Sequence, residues 1–206
     1  MKKKILVISL TVAVLAITII GGTLAWFTDE QEATNTFTVG NVEIELREPL
    51  WDGVLFGGTA EKQPDDSTLG KNLAVNLVPG REIPKNPQVM NVGANPCYVR
   101  LVLTSTDIST AAMWNALITQ VMQDKDTVWT WQVAADGSSV YFTYNSILNP
   151  QAETSAAFGS FKIDENATEK NVIDVFGADS SFDLVVTAQA IQSEGFDTAA
   201  DAFNHW

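Results

Sequence analysis

The sequence predicts an all-β protein, an antiparallel β-sandwich with a helical insertion. Three observations support this prediction. Apolar and polar residues alternate in several short runs, turn residues separate these runs, and helical periodicity is clear only once, within residues 109–124. The chain has 206 residues, so residues 26–206 are long enough to form one domain with its own core once an N-terminal targeting segment is set aside.

The alternation begins near residue 37. Phe37 and Val39 point to one side, and the pattern resumes at Val42 with the opposite parity. Gly40 lies at this change of parity, which indicates a bulge or a sharp bend. The same alternation predicts half-buried strands at residues 98–103 and 182–190, and sparser apolar residues suggest a short strand at 158–163.

An aromatic hairpin is the clearest local prediction. Residues 128–133 and 139–144 flank Asp136-Gly137, and an Asp-Gly pair between such runs is typical of a tight hairpin turn. Trp129 and Trp131 share one face of the first strand. That placement suits packing in the core, and it also suits stacking on a sugar ring.

The helical insertion rests on apolar residues spaced four apart. Met113, Leu117 and Val121 form one stripe, and Ser109 or Thr110 can cap its N-terminus. Less regular segments are a short helix near 168–175, a terminal turn of helix capped by Asp197, and a long excursion over 49–70 typical of a functional or mobile loop.

The N-terminus has the features of a secretory signal peptide. Three lysines at residues 2–4 precede an apolar run at 5–20, and small residues follow. Thr23 and Ala25 suit the −3 and −1 positions of a signal peptidase site, so cleavage is expected after Ala25 and the mature chain begins at Trp26. The alternative is an uncleaved membrane anchor, because a spanning helix needs about 20 apolar residues.

The leader and the segment that follows it resemble the TasA/camelysin (CalY) family of Gram-positive surface proteins, which the signal peptidase SipW processes. The resemblance rests on GGTLAWFTD at residues 21–29 and NTFTVGNV at residues 35–42. Stretches within 78–100 and 188–196 are similar to the wider group of SipW-dependent proteins. The resemblance implies a jelly-roll sandwich, a secreted or surface location, and a SipW-type peptidase as a partner.

The same resemblance implies a structural role, since TasA-like proteins form biofilm-matrix fibres by N-terminal strand donation. Residues 26–40 would then be the donor strand, joining copies head to tail in a homopolymeric fibre to which other matrix proteins could bind. The alternative is that this segment pairs as the first strand of its own domain. The residues expected to carry polymerisation are Trp26, Phe27, Phe37, Val39 and Gly40.

Composition excludes some partners. The chain has 12 basic and 25 acidic residues, and removing residues 1–25 takes away three lysines and no acids, which changes the net charge from −13 to −16. Such a surface repels a phosphate backbone, so nucleic acid is excluded, and membrane contact is expected only through an uncleaved leader. Cys97 is the only cysteine, so the fold has no internal disulfide and Cys97 is expected to be buried.

The sequence contains few residues of the types that common catalytic sites require, so no enzymatic activity and no catalytic residue are predicted. The only histidine is His205, and no His-Glu-x-x-His motif is present, so the metallopeptidase activity described for camelysin cannot be assigned to any residue here. No cofactor or metal site is predicted, although calcium on acidic loops is left open. Two alternatives remain: a metal-dependent surface peptidase of the camelysin type, and a monomeric adhesin or carbohydrate binder using Trp129 and Trp131 or the 49–70 loop.

Overall fold

The computed structural model describes residues 41–54, 66–76, 78–168 and 183–205. These residues all lie in one compact unit, Gly40–Trp206. Within the described ranges the protein consists mostly of β-strands in three antiparallel sheets, with few helices, which confirms the predicted all-β sandwich. In chain order the strands are β1 (Ile44–Arg47), β2 (Glu82–Pro84), β3 (Gln88–Asn91), β4 (Cys97–Thr104), β5 (Met122–Gln123), β6 (Trp129–Val133), β7 (Ser139–Tyr144), β8 (Ser160–Lys162) and β9 (Val185–Gln192).

The largest sheet has the strand order β6-β7-β4-β9. It includes the predicted hairpin, because β6 and β7 pair antiparallel with Trp131 opposite Phe142. Gly137 in the connecting turn has a φ of 72°, a left-handed conformation that glycine adopts without steric cost. Strand β4 is central, because it pairs with β7 on one side and with β9 on the other.

Two smaller sheets supply the remaining strands. One pairs β1 with β3, and the other has the order β2-β8-β5. These strands are only two to four residues long. Prolines contribute to this shortness, because Pro84 and Pro87 have no N–H to donate to a ladder.

The core lies between the large sheet and the small ones. Val99, Leu101 and Leu103 point inward from β4 and are completely buried. They belong to one apolar cluster that also contains Val89 of β3 and Phe161 of β8. A continuous cluster of this kind holds the layers together without a disulfide.

The predicted helical insertion is present. The α-helix runs from Ala111 to Ala116 and continues as a π-helical turn from Leu117 to Val121. Thr110 is the N-cap, since its hydroxyl accepts a hydrogen bond from the Met113 N–H. Trp114 is fully buried, and its Nε1 donates to the Gly137 carbonyl at 3.0 Å, which joins the helix to the hairpin turn.

The remaining helices are short. The C-terminal helix begins one residue later than expected, because Thr198 rather than Asp197 accepts the capping bond from the Asp201 N–H. No helix within the described ranges is long and apolar enough to cross a membrane. Residues 169–175 of the helix expected at 168–175, and residues 55–65 of the 49–70 excursion, lie outside the described residues. The short helices, including two 3-10 turns, are Pro49–Asp52, Asp66–Thr68, Gly70–Leu73, Ala74–Asn76 and Ala199–Asn204.

Cys97 is expected to react very slowly with thiol reagents in the folded protein. Its side chain is fully buried, and this burial raises the pKa of the thiol from 9.0 to about 11. At pH 8 the thiolate fraction falls about 100-fold from ionisation alone. The measurement is the rate of labelling by an aromatic disulfide reagent with and without denaturant, and equal rates in both conditions would contradict the expectation.

Candidate functional site

One side of the sandwich is incompletely covered, at the seam between β9 and β1. Parts of these strands are close in space, but the strands do not pair with each other. The inward side chains of β9, among them Val186, Ala188 and Ala190, are only half-buried, whereas Leu101 and Leu103 of the neighbouring strand have no exposed surface. Ile44 of β1 is also half-buried. The apolar side chains along this seam are therefore incompletely covered.

The outer edge of β9 has unusual chemistry for an edge strand. Its eight residues, VVTAQAIQ, include no charged residue and no proline. Natural edge strands usually carry charges, prolines or bulges that prevent pairing with another chain. No described strand pairs with this outer edge, so β9 has the properties of a template for strand addition.

The direction of the β9 amides follows from the pairing pattern. Ser193 N–H donates to the Pro96 carbonyl at 3.1 Å, and hydrogen-bonded positions alternate along an antiparallel pair. The backbone bonds of Cys97, which lies opposite Gln192, support this alternation. Its N–H and its carbonyl both bond to Leu148, on the side of β4 that faces away from β9. The amides that point to the open edge are those of Val186, Ala188, Ala190 and Gln192.

A buried asparagine orients a turn that holds the backbone of Glu43, just before β1. Asn91 is completely buried, and its Oδ1 accepts from the Gly93 N–H at 3.0 Å. The N–H groups of Val92 and Gly93 both donate to the Glu43 carbonyl, at 2.9 and 3.0 Å. A Cβ at Gly93 would lie 2.7 Å from the Glu43 nitrogen, so this close approach requires glycine. The turn therefore holds the backbone just after residue 40 in one place.

The tryptophans of β6 do not form an exposed pair. Trp129 is 5% exposed, its Nε1 donates to the Ser155 carbonyl at 3.1 Å, and its ring packs against Tyr144. Trp131 lies on the same face at the sheet edge and is 37% exposed. A sugar-stacking platform made from both rings is therefore excluded by the burial of Trp129.

The acidic side chains of the described ranges are not grouped as a metal centre requires. No group of three or more His, Cys, Asp or Glu side chains in the described ranges is arranged to hold an ion. Asp126 instead accepts from the Val128 backbone N–H and from Ser155, and these hydrogen bonds lower the pKa of its carboxyl. Asp164 caps the Asn166 N–H at 2.7 Å. These acids stabilise loops, and no step of a metal-dependent reaction can be derived from them.

The positions predicted from sequence to carry processing and polymerisation fall outside the described residues. The leader over residues 1–25 and the donor segment over residues 26–40 also lie outside them, since the described residues begin at Asn41. Those assignments stay predictions. They concern Thr23, Ala25, Trp26, Phe27, Phe37, Val39 and Gly40.

The sequence analysis predicted a donor segment, which stays a prediction, and did not single out β9 as an unprotected edge strand. The strand at 185–192 was expected from its alternation, but alternation does not distinguish a central strand from an edge strand. The available signal was the absence of charge over eight residues in a chain with 37 charged side chains, 12 basic and 25 acidic. Such a run is the mark of an edge that has not been protected against pairing.

Comparison with known proteins agrees with the resemblance of the N-terminal region. A search of curated proteins found no match. The model of the family described as camelysin metallo-endopeptidase matches residues 1–51, about a quarter of the chain, and reaches as far as β1. Residues 1–51 are therefore similar to the camelysin family, which agrees with the resemblance of the leader and the following segment to TasA/camelysin proteins.

Proposed function

We propose that this protein is a secreted structural subunit of extracellular matrix fibres, which assembles head to tail by strand donation. Residues 26–40 of one copy would pair with the outer edge of β9 in the next copy. The half-covered seam between β9 and β1 is the observation that carries this proposal, because a strand added to β9 would cover apolar side chains that are now partly exposed, such as Val186 and Ala188. A donor and an acceptor at different places on one chain make an open, repeating contact.

The charge pattern supports the same assembly. The chain has a formal net charge of −13, so contacts between copies are opposed by repulsion unless they avoid acidic side chains. The outer edge of β9 offers backbone groups and uncharged side chains only. Cleavage after Ala25 by a SipW-type peptidase would free the donor, and the assembly needs no cofactor.

Blocking the edge of β9 is expected to abolish fibres. In Ala188→Pro the lost amide points away from β4, so the substitution removes a donor from the open edge and leaves the β4 ladder bonded. Ala188→Ser keeps the amide and is the matched control. Electron microscopy and sedimentation of the mature chain should reveal fibres for the control and monomers for the proline variant.

Circular dichroism establishes that both variants are folded before fibres are counted. Deletion of residues 26–31 removes the donor side and should have the same effect as Ala188→Pro. Fibres of normal abundance from the folded proline variant would refute strand pairing at β9.

A second candidate function is metallo-endopeptidase activity, which the description of the matching family favours. The match covers residues 1–51, so it gives no information on most of the sandwich. Proteolysis by the purified mature chain, lost on addition of a chelator and restored by a divalent metal, would favour this function over the fibre subunit.

A further inference from the structure

A cleft lies where the C-terminal helix meets the large sheet. Its volume is about 400 Å³. Tyr98 and Ala199 line it and are almost completely buried, at 4% and 5% exposure, whereas Ile147 is 47% exposed. Polar groups complete the lining, from Asn145, Asp197 and Thr198.

This arrangement resembles the centre of a small protein interface. An exposed isoleucine next to a buried aromatic ring leaves apolar surface in water, and polar side chains surround it. Pockets of this kind receive a large anchor side chain from a partner. The carboxylate of Asp197 adds a negative charge to the lining.

We propose that the cleft receives Trp26 and Phe27 of a neighbouring copy, with the new α-amino group of Trp26 paired to Asp197. This inference rests on the proposed strand donation and identifies where the end of the donor binds. The two aromatic residues supply the apolar anchor. The segment from Trp26 to Leu46 contains five acids and no lysine or arginine, so the α-ammonium is the only positive group that it can offer to Asp197.

The course of the chain places the cleft within reach of an antiparallel donor. Such a donor would begin beside Gln192 at the end of β9 and run toward Val185. The chain turns after Gln192, where Ser193 N–H is bonded to Pro96, and then supplies Asp197 to the cleft. Nine residues separate Phe27 from Phe37, and each spans up to about 3.3 Å, so the anchor can reach the cleft while the strand pairs.

The proposal also explains how cleavage would control assembly. Before cleavage the nitrogen of Trp26 is part of a peptide bond with Ala25 and carries no charge. After cleavage it becomes an ammonium group that can pair with Asp197. N-terminal amine capture of this type would make assembly depend on the correct cut.

A peptide titration tests the cleft without relying on fibres. The protein is the full mature chain with Trp26→Ala and Phe27→Ala, so that its own N-terminus does not compete. The probe is a synthetic peptide of residues 26–31 with a free amine and an amidated C-terminus. Saturable NMR shifts are expected at Ile147 and Tyr98, and an N-acetylated peptide should bind about threefold more weakly.

Two matched variants test whether the peptide binds in the cleft. Ile147→Asp should abolish binding, whereas Val75→Asp, which changes an exposed apolar residue outside both the cleft and β9, should leave it unchanged. Asp197→Asn should remove the difference between the free and acetylated peptides. Absence of saturable shifts at Ile147, or equal binding to Ile147→Asp, would overturn the proposal. A failure here is distinct from a failure of strand donation, which the fibre assay of Ala188→Pro reports.

Discussion

Replacement of Asn91 with leucine is expected to destabilise the domain by about 3 kcal/mol. The side chain is completely buried, and its Nδ2 donates to the carbonyls of Asn95 and Leu148 at 2.8 and 3.0 Å. Its Oδ1 accepts from the Gly93 N–H. Leucine has a similar size but removes the amide partner of the Asn95 carbonyl, at a cost of about 1–3 kcal/mol. It also removes one of the two hydrogen bonds made by the Leu148 carbonyl and by the Gly93 N–H, at about 0.5–1.5 kcal/mol each.

Urea unfolding followed by circular dichroism measures this effect. The matched control is Asn115→Ala, which removes an exposed amide bonded to the Ala111 carbonyl and should change the free energy of unfolding by less than about 0.5 kcal/mol. A loss below about 1 kcal/mol for Asn91→Leu would mean that water replaces the amide. Because Asn91 orients the turn that holds Glu43, the folded fraction of the variant should also form fewer fibres.

Local signals explain why much of the fold was predictable. The alternation within β4 and the Asp136-Gly137 turn are properties of a few neighbouring residues, and both lead directly to the observed strands and hairpin. The helical stripe through Met113 and Leu117 is equally local, although no feature of the sequence indicates that its second half is a π-helical turn. These elements depend little on what packs against them.

The features that sequence could not predict depend on partners distant in the chain. The uncharged run that begins at Val185 is compatible with an edge strand but does not establish one, since an edge depends on which strands lie beside it. The short strands β2 and β3 lie in a proline-rich stretch, and they form because β8 and β1 supply their pairing partners. Lys85 lies between these two strands and is buried, although lysine is normally exposed.

Replacement of that lysine with methionine is expected to cost about 3–5 kcal/mol. Lys85 Nζ lies 2.7 Å from Glu48 Oε2 and 4.4 Å from the centre of the Trp51 ring. The two charged side chains are only 5% and 14% exposed. Methionine fills a similar volume but leaves the Glu48 carboxylate buried without its cation. Thermal and urea unfolding measure the loss, and Lys162→Met, at an exposed lysine of β8, is the control.

A double variant separates a buried charge from a missing contact. In Lys85→Met with Glu48→Leu, both charges are absent, so most of the lost stability should return, because buried ion pairs contribute little compared with apolar residues of similar volume. Glu48 Oε1 is buried and has no hydrogen-bond partner among the described residues, which makes the isolated carboxylate still more costly. If the double variant were instead less stable than Lys85→Met, the pair would have to be stabilising in itself. In that case the link between β1 and the β2–β3 segment would depend on charge attraction rather than on packing.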